Sequence, residues 1–224
     1  MSGLAAFVSA GKRLEDAIDR VRLAESLGYE AVFTTQTTGR DGLMLLAAYA
    51  NATTRIRLGT GVLPAFPRHP LALAIEAATL DELTGGRLIL GVGPSHKVTT
   101  EGWYGLSMDR ALSRMREYVS ILRSVFTSDG ASHDGEFYRV QFGFLGYGAR
   151  KDLPIYVSAL APNMLRFAGE AADGVVLWGC FPPYIKGIVA GAVRDGAAAA
   201  GRPVPKIVAA IPAAVTTDRA AAFD

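Results

Sequence analysis

With a single cysteine, Cys180, the chain cannot form an internal disulfide, and a reducing cytoplasm is the expected setting. Histidine is almost as scarce. His69, His96 and His133 are the only three in the sequence, too few beside one cysteine to suggest a metal cluster. An excess of one charge is missing too. The 23 basic and 21 acidic residues are interspersed and leave a net charge of +2, so there is no basic stripe of the kind that follows nucleic acid. No window reaches the roughly 18 apolar residues of a membrane span. The short apolar run in MSGLAAFVSAGKR has no basic residue ahead of it, unlike a secretory signal. Nucleic acid and membrane are therefore set aside as partners, which leaves a small molecule.

Apolar residues are abundant, at 50% of 224, enough for one sizeable core, and no shift in composition marks a second domain across residues 1–224. Their spacing alternates between two periods. The densest stretch is RLILGVGPSHKVTTEGW, in which Leu88, Ile89, Leu90 and Val92 read as a parallel strand covered on both faces. Polar residues crowd its C-terminal end, the end at which parallel α/β proteins bind ligands. Similar runs lie at Leu4 to Val8, Ala31 to Phe33, Ile56 to Gly61, Ile155 to Ala159, Gly174 to Leu177 and Ile207 to Ile211. Helical spacing separates them: Leu14 to Leu27 (stopped by Gly28), Gly42 to Asn51, Pro70 to Leu83, Met108 to Phe126, Pro162 to Ala171 and Pro183 to Ala200, with Asp218 as the N-cap of one more helix.

The expected fold class is α/β, a (β/α)8 TIM barrel of which the chain covers about seven β/α units, the C-terminal unit being absent. An open doubly wound sheet is the alternative, but the first strand-to-helix loop, AGKR, lacks the three-glycine phosphate fingerprint. Two segments depart from the rhythm. Residues 127–152 are long, glycine-rich and aromatic (Phe137, Tyr138, Phe142, Phe144, Tyr147), which suggests an inserted hairpin or a lid over the barrel mouth. The helix at 42–51 is apolar nearly all round, which suggests cover by a partner subunit in a homodimer, or burial under the chain's own loops.

The motifs EAVFTTQ, RIRLGTGV, LALAIEAATLDELTGGRLILGVG and GEAADGVVL, in that order, resemble the bacterial luciferase-like superfamily of flavin and deazaflavin enzymes. Within it, GVGPSHK is most similar to the methylenetetrahydromethanopterin reductases and their relatives, which use coenzyme F420 and carry a bend much like GPGDK. The resemblance aligns His96 with the acidic residue that contacts the deazaflavin, and Ser95 with the glycine before it. An imidazole in place of a carboxylate still exchanges a proton near neutrality.

Four strand ends then supply a candidate site. Thr35 and Gln36 end the second strand; Gln36 does not titrate and is assigned hydrogen bonding to cofactor or substrate. Gly61 and Val62 end the third, where the resemblance implies a bulge with a non-proline cis peptide that backs the cofactor ring. Gly93, Pro94, Ser95 and His96 form the bend, with Trp103 and Tyr104 beyond it as substrate contacts or as packing. Ser158, Ala159, Leu160, Ala161 and Asn163 lead into a helix N-terminus suited to a phosphate, and Trp178 and Gly179 border the same place. Cys180 reads as packing. The function these residues imply is an F420-dependent oxidoreductase passing a hydride between the cofactor and a small organic substrate, with His96 and Gln36 as the catalytic pair. The alternatives are an FMN-dependent two-component monooxygenase and a non-catalytic flavin-binding protein.

Overall fold

The computed structural model describes residues 3–36, 39–143, 145–213 and 216–217. Its strands are β1 (Ala5–Phe7), β2 (Ala31–Thr34), β3 (Arg57–Thr60), β4 (Leu63–Pro64), β5 (Leu88–Gly93), β6 (Ala131–Asp134), β7 (Arg139–Phe142), β8 (Ile155–Ser158), β9 (Gly174–Trp178) and β10 (Lys206–Ala210). Its helices are α1 (Leu14–Ser26), α2 (Gly42–Ala52), α3 (Pro70–Leu83), α4 (Ala111–Ser128), α5 (Pro162–Ala171), α6 (Pro182–Tyr184) and α7 (Ala190–Ala199). The sheet order is β1-β2-β3-β5-β8-β9-β10, all parallel, with β4 beside β5. Each crossover adds its strand on the same side, which is the order of a barrel; a doubly wound sheet reverses direction at its midpoint. The open-sheet alternative is thereby overturned. The helix expected at Asp218 lies outside the described residues.

Alternation along the strands divides the core in two. Leu58, Leu88, Leu90, Val92, Ile155, Val157, Val175 and Leu177 face the helices and join the large outer core. Phe33, Ile89, Tyr156 and Val176 face inward with Phe7, Val62 and Val208. Inside the barrel, aromatic rings are set against glycines. A Cβ on Gly59 would lie 2.5 Å from the Phe33 ring, and one on Gly174 would lie 2.6 Å from Tyr156. Between β10 and β1 the barrel stays open among the described residues. Lys206 Nζ donates to Glu30 Oε1 at 3.0 Å across that seam, and the Phe7 and Trp178 rings meet edge-on at 5.6 Å.

The helices start where local chemistry permits. Asp41 caps α2, accepting from the backbone N–H groups of Leu43 and Met44 at 2.9 and 3.0 Å. His69 caps α3 ahead of Pro70, as expected of a helix over Pro70–Leu83. The fourth helix was expected from Met108 and begins instead at Ala111, because Arg110 adopts a left-handed φ of 53° and the Met108 N–H goes to Glu101 Oε1. The expected helix at 183–200 contains a π-helical stretch, Ile185–Val189, between α6 and α7. Leu27, placed on the buried stripe of α1 by its spacing, is exposed beyond that helix's end. In α2, Leu43, Leu45, Leu46, Tyr49 and Ala50 are buried while Met44 points outward.

Between α4 and β8 the chain forms an antiparallel hairpin, β6 with β7, laid along α4. Glu117 on α4 is its anchor. The carboxylate accepts from the N–H groups of Glu136, Phe137 and Tyr138 at 3.0 to 3.1 Å and faces His133 Nε2 at 3.2 Å. Burial works against the charged form, but these hydrogen bonds outweigh it and hold the carboxyl below the usual glutamate range. A depressed carboxylate stabilises above its unfolded pKa and loses that contribution as pH falls through its folded value. Glu117→Gln is accordingly expected to cost about 1–2 kcal/mol near neutral pH. The difference from wild type should shrink toward acid, read as urea midpoints across a pH series.

Candidate active site

The β3–β4 junction builds the first wall. β3 pairs with β5 at Leu58–Leu88 and Gly59–Ile89, and pairing resumes only at β4, Leu63 with Val92 and Pro64 with Gly93. Between them the chain bulges, and the Gly61–Val62 peptide is cis, the isomer the family resemblance implied. The Thr60 hydroxyl spans the interruption, donating to Gly91 O and accepting from Gly91 N, each at 2.8 Å. Gly61 is required here for space. A Cβ would meet the Phe7 ring at 2.6 Å, and its φ is not among the positive ones.

A cavity of about 490 Å³ opens at the C-terminal ends of β2, β3, β5, β8 and β9, within the size range of small-molecule sites. Thr35, Gln36, Gly61, Val62, Ser95, His96, Ser158, Ala159, Leu160, Ala161 and Trp178 line it. The expected residues it leaves out are Gly93, Asn163, Gly179, Trp103 and Tyr104. Gly93 lies under the bend, where a Cβ would press on Ser158 and Val62. Asn163 is the second residue of α5, its Oδ1 facing Arg166 NH1 at 3.4 Å. Trp103 ends a π-helical turn, Val98–Trp103, whose buried residues are Thr99 and Thr100, Tyr104 follows directly after it, and both are about half exposed. Pro94 of the bend lines the cavity too, and Pro64, Met164 and Val176 line it without having been expected. Val176 could have been found, since it lies two residues before Trp178 on the same face of β9.

The bend holds His96 at the rim. Ser95 takes a φ of 68°, the left-handed region that glycine occupies without cost, which is why glycine suits this position in the resembled bend. The Thr100 N–H donates to His96 O at 2.8 Å and the Thr100 hydroxyl to Pro94 O at 3.1 Å. The bend is thus fastened from the turn behind it, and the imidazole is left at the cavity edge, exposed.

Opposite, α5 begins at Pro162 behind Ala161, and no side chain caps it. Its first-turn N–H groups and positive dipole end adjoin cavity residues Ser158 to Ala161, an arrangement that suits an anion. The N-terminus of α2 differs. Gly42 N–H donates to Gln36 Oε1 at 3.1 Å, and Asp41 takes the next two. Arg68 NH2 also donates to Gln36 Oε1 at 3.1 Å. Arg68 pairs with Asp41 and, at 3.6 Å, with Glu76. Burial nevertheless pushes the Glu76 carboxyl up, with Asp41 adding to the rise and Arg68 opposing it.

A larger hollow of about 740 Å³ follows the barrel interior and the seam between β1 and β10. Its lining is largely the unpaired strand edges and the Glu30–Arg57–Lys206 charges at the other end of the barrel, so it is set aside as a site.

The chain matches the family model described as luciferase-like monooxygenase over residues 1–224. It is 36% identical over 220 residues to a Mycobacterium tuberculosis protein assigned as a coenzyme F420-dependent oxidoreductase, covering 91% of this chain and 63% of that one. Among solved structures, the coenzyme F420-dependent tetrahydromethanopterin reductase of Methanopyrus kandleri superposes with a TM-score of 0.82 at 25% identity, covering 92% of this chain and 65% of that one. The monooxygenase RslO1 of Streptomyces bottropensis gives 0.77 at 28% identity, covering 91% and 70%. The chain therefore spans a little under two thirds of the length of the first two.

Proposed function

This chain belongs to the luciferase-like monooxygenase family, and we propose that within it the chain acts as a coenzyme F420-dependent oxidoreductase on a small organic substrate. One observation carries the reading: an amide side chain, an imidazole and an uncapped helix N-terminus converge on one cavity at the strand ends. The residues present fit the cofactor. The α5 N-terminus and the Ser158–Ala161 turn would hold its phosphate, Val62 would back its ring, and Gln36 would donate to a ring or substrate oxygen. The deazaflavin, when bound, supplies the hydride chemistry. What the chain adds is position and a proton: an imidazole nitrogen of His96 gives up or takes the proton that accompanies the transfer, at a rim water can reach.

The name of the Mycobacterium relative supports the deazaflavin over FMN. Wild type is expected to bind coenzyme F420 at micromolar concentration and FMN far more weakly, read by fluorescence titration. His96→Ala should keep that affinity and lose roughly 10²–10⁴-fold in turnover; full turnover in the variant would remove His96 from the chemistry.

A second reading, an FMN-dependent monooxygenase, is favoured by the likeness to RslO1. Oxygen uptake with reduced FMN and a candidate substrate would decide for it. Either enzyme would work in the cytoplasm as a homodimer through the outward face of α2, where Met44 is exposed beside Ala47 and Ala48. Sedimentation as a monomer would end that part of the reading.

A further inference from the structure

Arg68 lies on the connection between β4 and α3 and does not line the cavity, yet its guanidinium reaches a residue that does. Two donors, Arg68 NH2 and Gly42 N–H, converge on one end of the Gln36 side chain, each at 3.1 Å. Only the amide oxygen can accept from both, so the orientation of the carboxamide is fixed and its NH2 is the end left to offer to the cavity. Arg68 is itself held in place. It pairs with Asp41, whose other oxygen caps α2, and its Nε faces Glu76 Oε2 at 3.6 Å. Its side chain is only 19% exposed.

We infer that Arg68 is a positioning residue that makes Gln36 a fixed hydrogen-bond donor, so that the cavity selects a ligand presenting a carbonyl oxygen at Gln36. The inference deepens the proposed function and rests on it. A free glutamine serves a donor or an acceptor equally by flipping, whereas a locked one discriminates, because a misplaced donor would face a donor without a partner. Two carbonyl sources share this chemistry: the pyrimidinedione ring of the cofactor and a ketone or aldehyde substrate.

Gln36→Glu separates the donor role from a structural one. The carboxylate still accepts from Arg68 and Gly42, so the melting temperature should hold or rise, but the NH2 is gone. Coenzyme F420 binding by fluorescence titration should weaken about tenfold, the worth of one such hydrogen bond, if the ring supplies the carbonyl. If the substrate supplies it, F420 affinity is unchanged. Binding of acetone, cyclohexanone or acetophenone, read from the absorbance of bound F420, then weakens instead. Wild-type affinity for all of these probes overturns the inference.

The role of Arg68 is read in a cycle. Arg68→Met should weaken the same probe in the wild-type background and have no further effect beside Gln36→Glu. An equal loss in both backgrounds would make Arg68 merely structural. Arg68→Lys, which keeps a cation beside Asp41 and Glu76, replaces Arg68→Met in the cycle if that variant fails to fold. A wild type that binds FMN and not F420 overturns the deazaflavin reading alone, and the variants are then read with FMN, whose ring carries the same carbonyls. Binding of neither overturns both.

Discussion

Asp81→Ala is expected to cost about 3–5 kcal/mol of folding stability, the range for removing one partner of a buried charge pair. Asp81 is buried at the end of α3, 4% exposed. It accepts from Arg150 Nε and NH2 at 2.8 Å each, the two-pronged geometry of a strong pair, and from the Leu88 N–H at 3.3 Å. The same Arg150 NH2 donates to Leu88 O at 3.0 Å. One carboxylate therefore joins a helix end, the first residue of the central strand and the segment that leads to β8. Without it, a largely covered guanidinium keeps its bond to Leu88 O but loses its two-pronged partner, and the fully buried Leu88 N–H loses its carboxylate acceptor. Asp81→Asn, which keeps one acceptor oxygen, should cost less, about 1–2 kcal/mol.

Arg139 and Asp134 make the control. They meet at 2.9 Å, nearly the same distance, with both side chains 84% exposed. Asp134→Ala should change stability by no more than about 0.5 kcal/mol, because water screens an exposed pair. Urea unfolding of the variants compares them directly. Equal effects would show that burial does not set the value of these pairs.

The barrel was legible because its strands are dense apolar runs and because helices such as α2 and α3 begin at capping residues. β5 is buried at every position, as Leu88 to Val92 suggested, and α3 runs from Pro70 to Leu83, where proline and the double glycine placed it. Parallel topology then does most of the work for the site: once the strands are known, Gln36, Val62, His96, Ser158 and Trp178 must gather at one end. What the sequence concealed is which way a connection turns. Trp103 and Tyr104 follow the bend in sequence but leave the cavity because the chain winds into a π-helical turn. Pro64 enters it because the bulge at residues 61–62 redirects the chain into β4. Arg68 gave no signal either, since an arginine in a loop reads as a solvated charge until its partners at Gln36 and Asp41 are seen.

The glycine at 91 joins fold to site more tightly than the histidine that draws the eye. On Gly91, an added Cβ would fall on the Thr60 carbonyl oxygen, 3.0 Å from the Thr60 carbonyl carbon and 3.1 Å from Val62 Cγ1. Backbone cannot rotate aside as a side chain can, so β3 and β5 must part where the Thr60 hydroxyl joins them. Gly91→Ala is expected to cost about 2–4 kcal/mol through overpacking and those two lost hydrogen bonds. Because the displaced segment carries Gly61 and Val62 into the cavity wall, coenzyme F420 affinity should fall at least about tenfold even where the protein remains folded, as a wall moved by an ångström no longer matches a rigid ring. Gly93→Ala supplies the contrast. Its Cβ would meet the Ser158 side chain, 3.2 Å from that residue's Cβ, and a serine hydroxyl can change rotamer at about 1 kcal/mol. Thermal unfolding and F420 titration of the two variants should therefore separate them, with Gly91→Ala losing both stability and affinity and Gly93→Ala losing little of the first. If Gly91→Ala bound cofactor as wild type does, the wall at Val62 would not be what holds the ring.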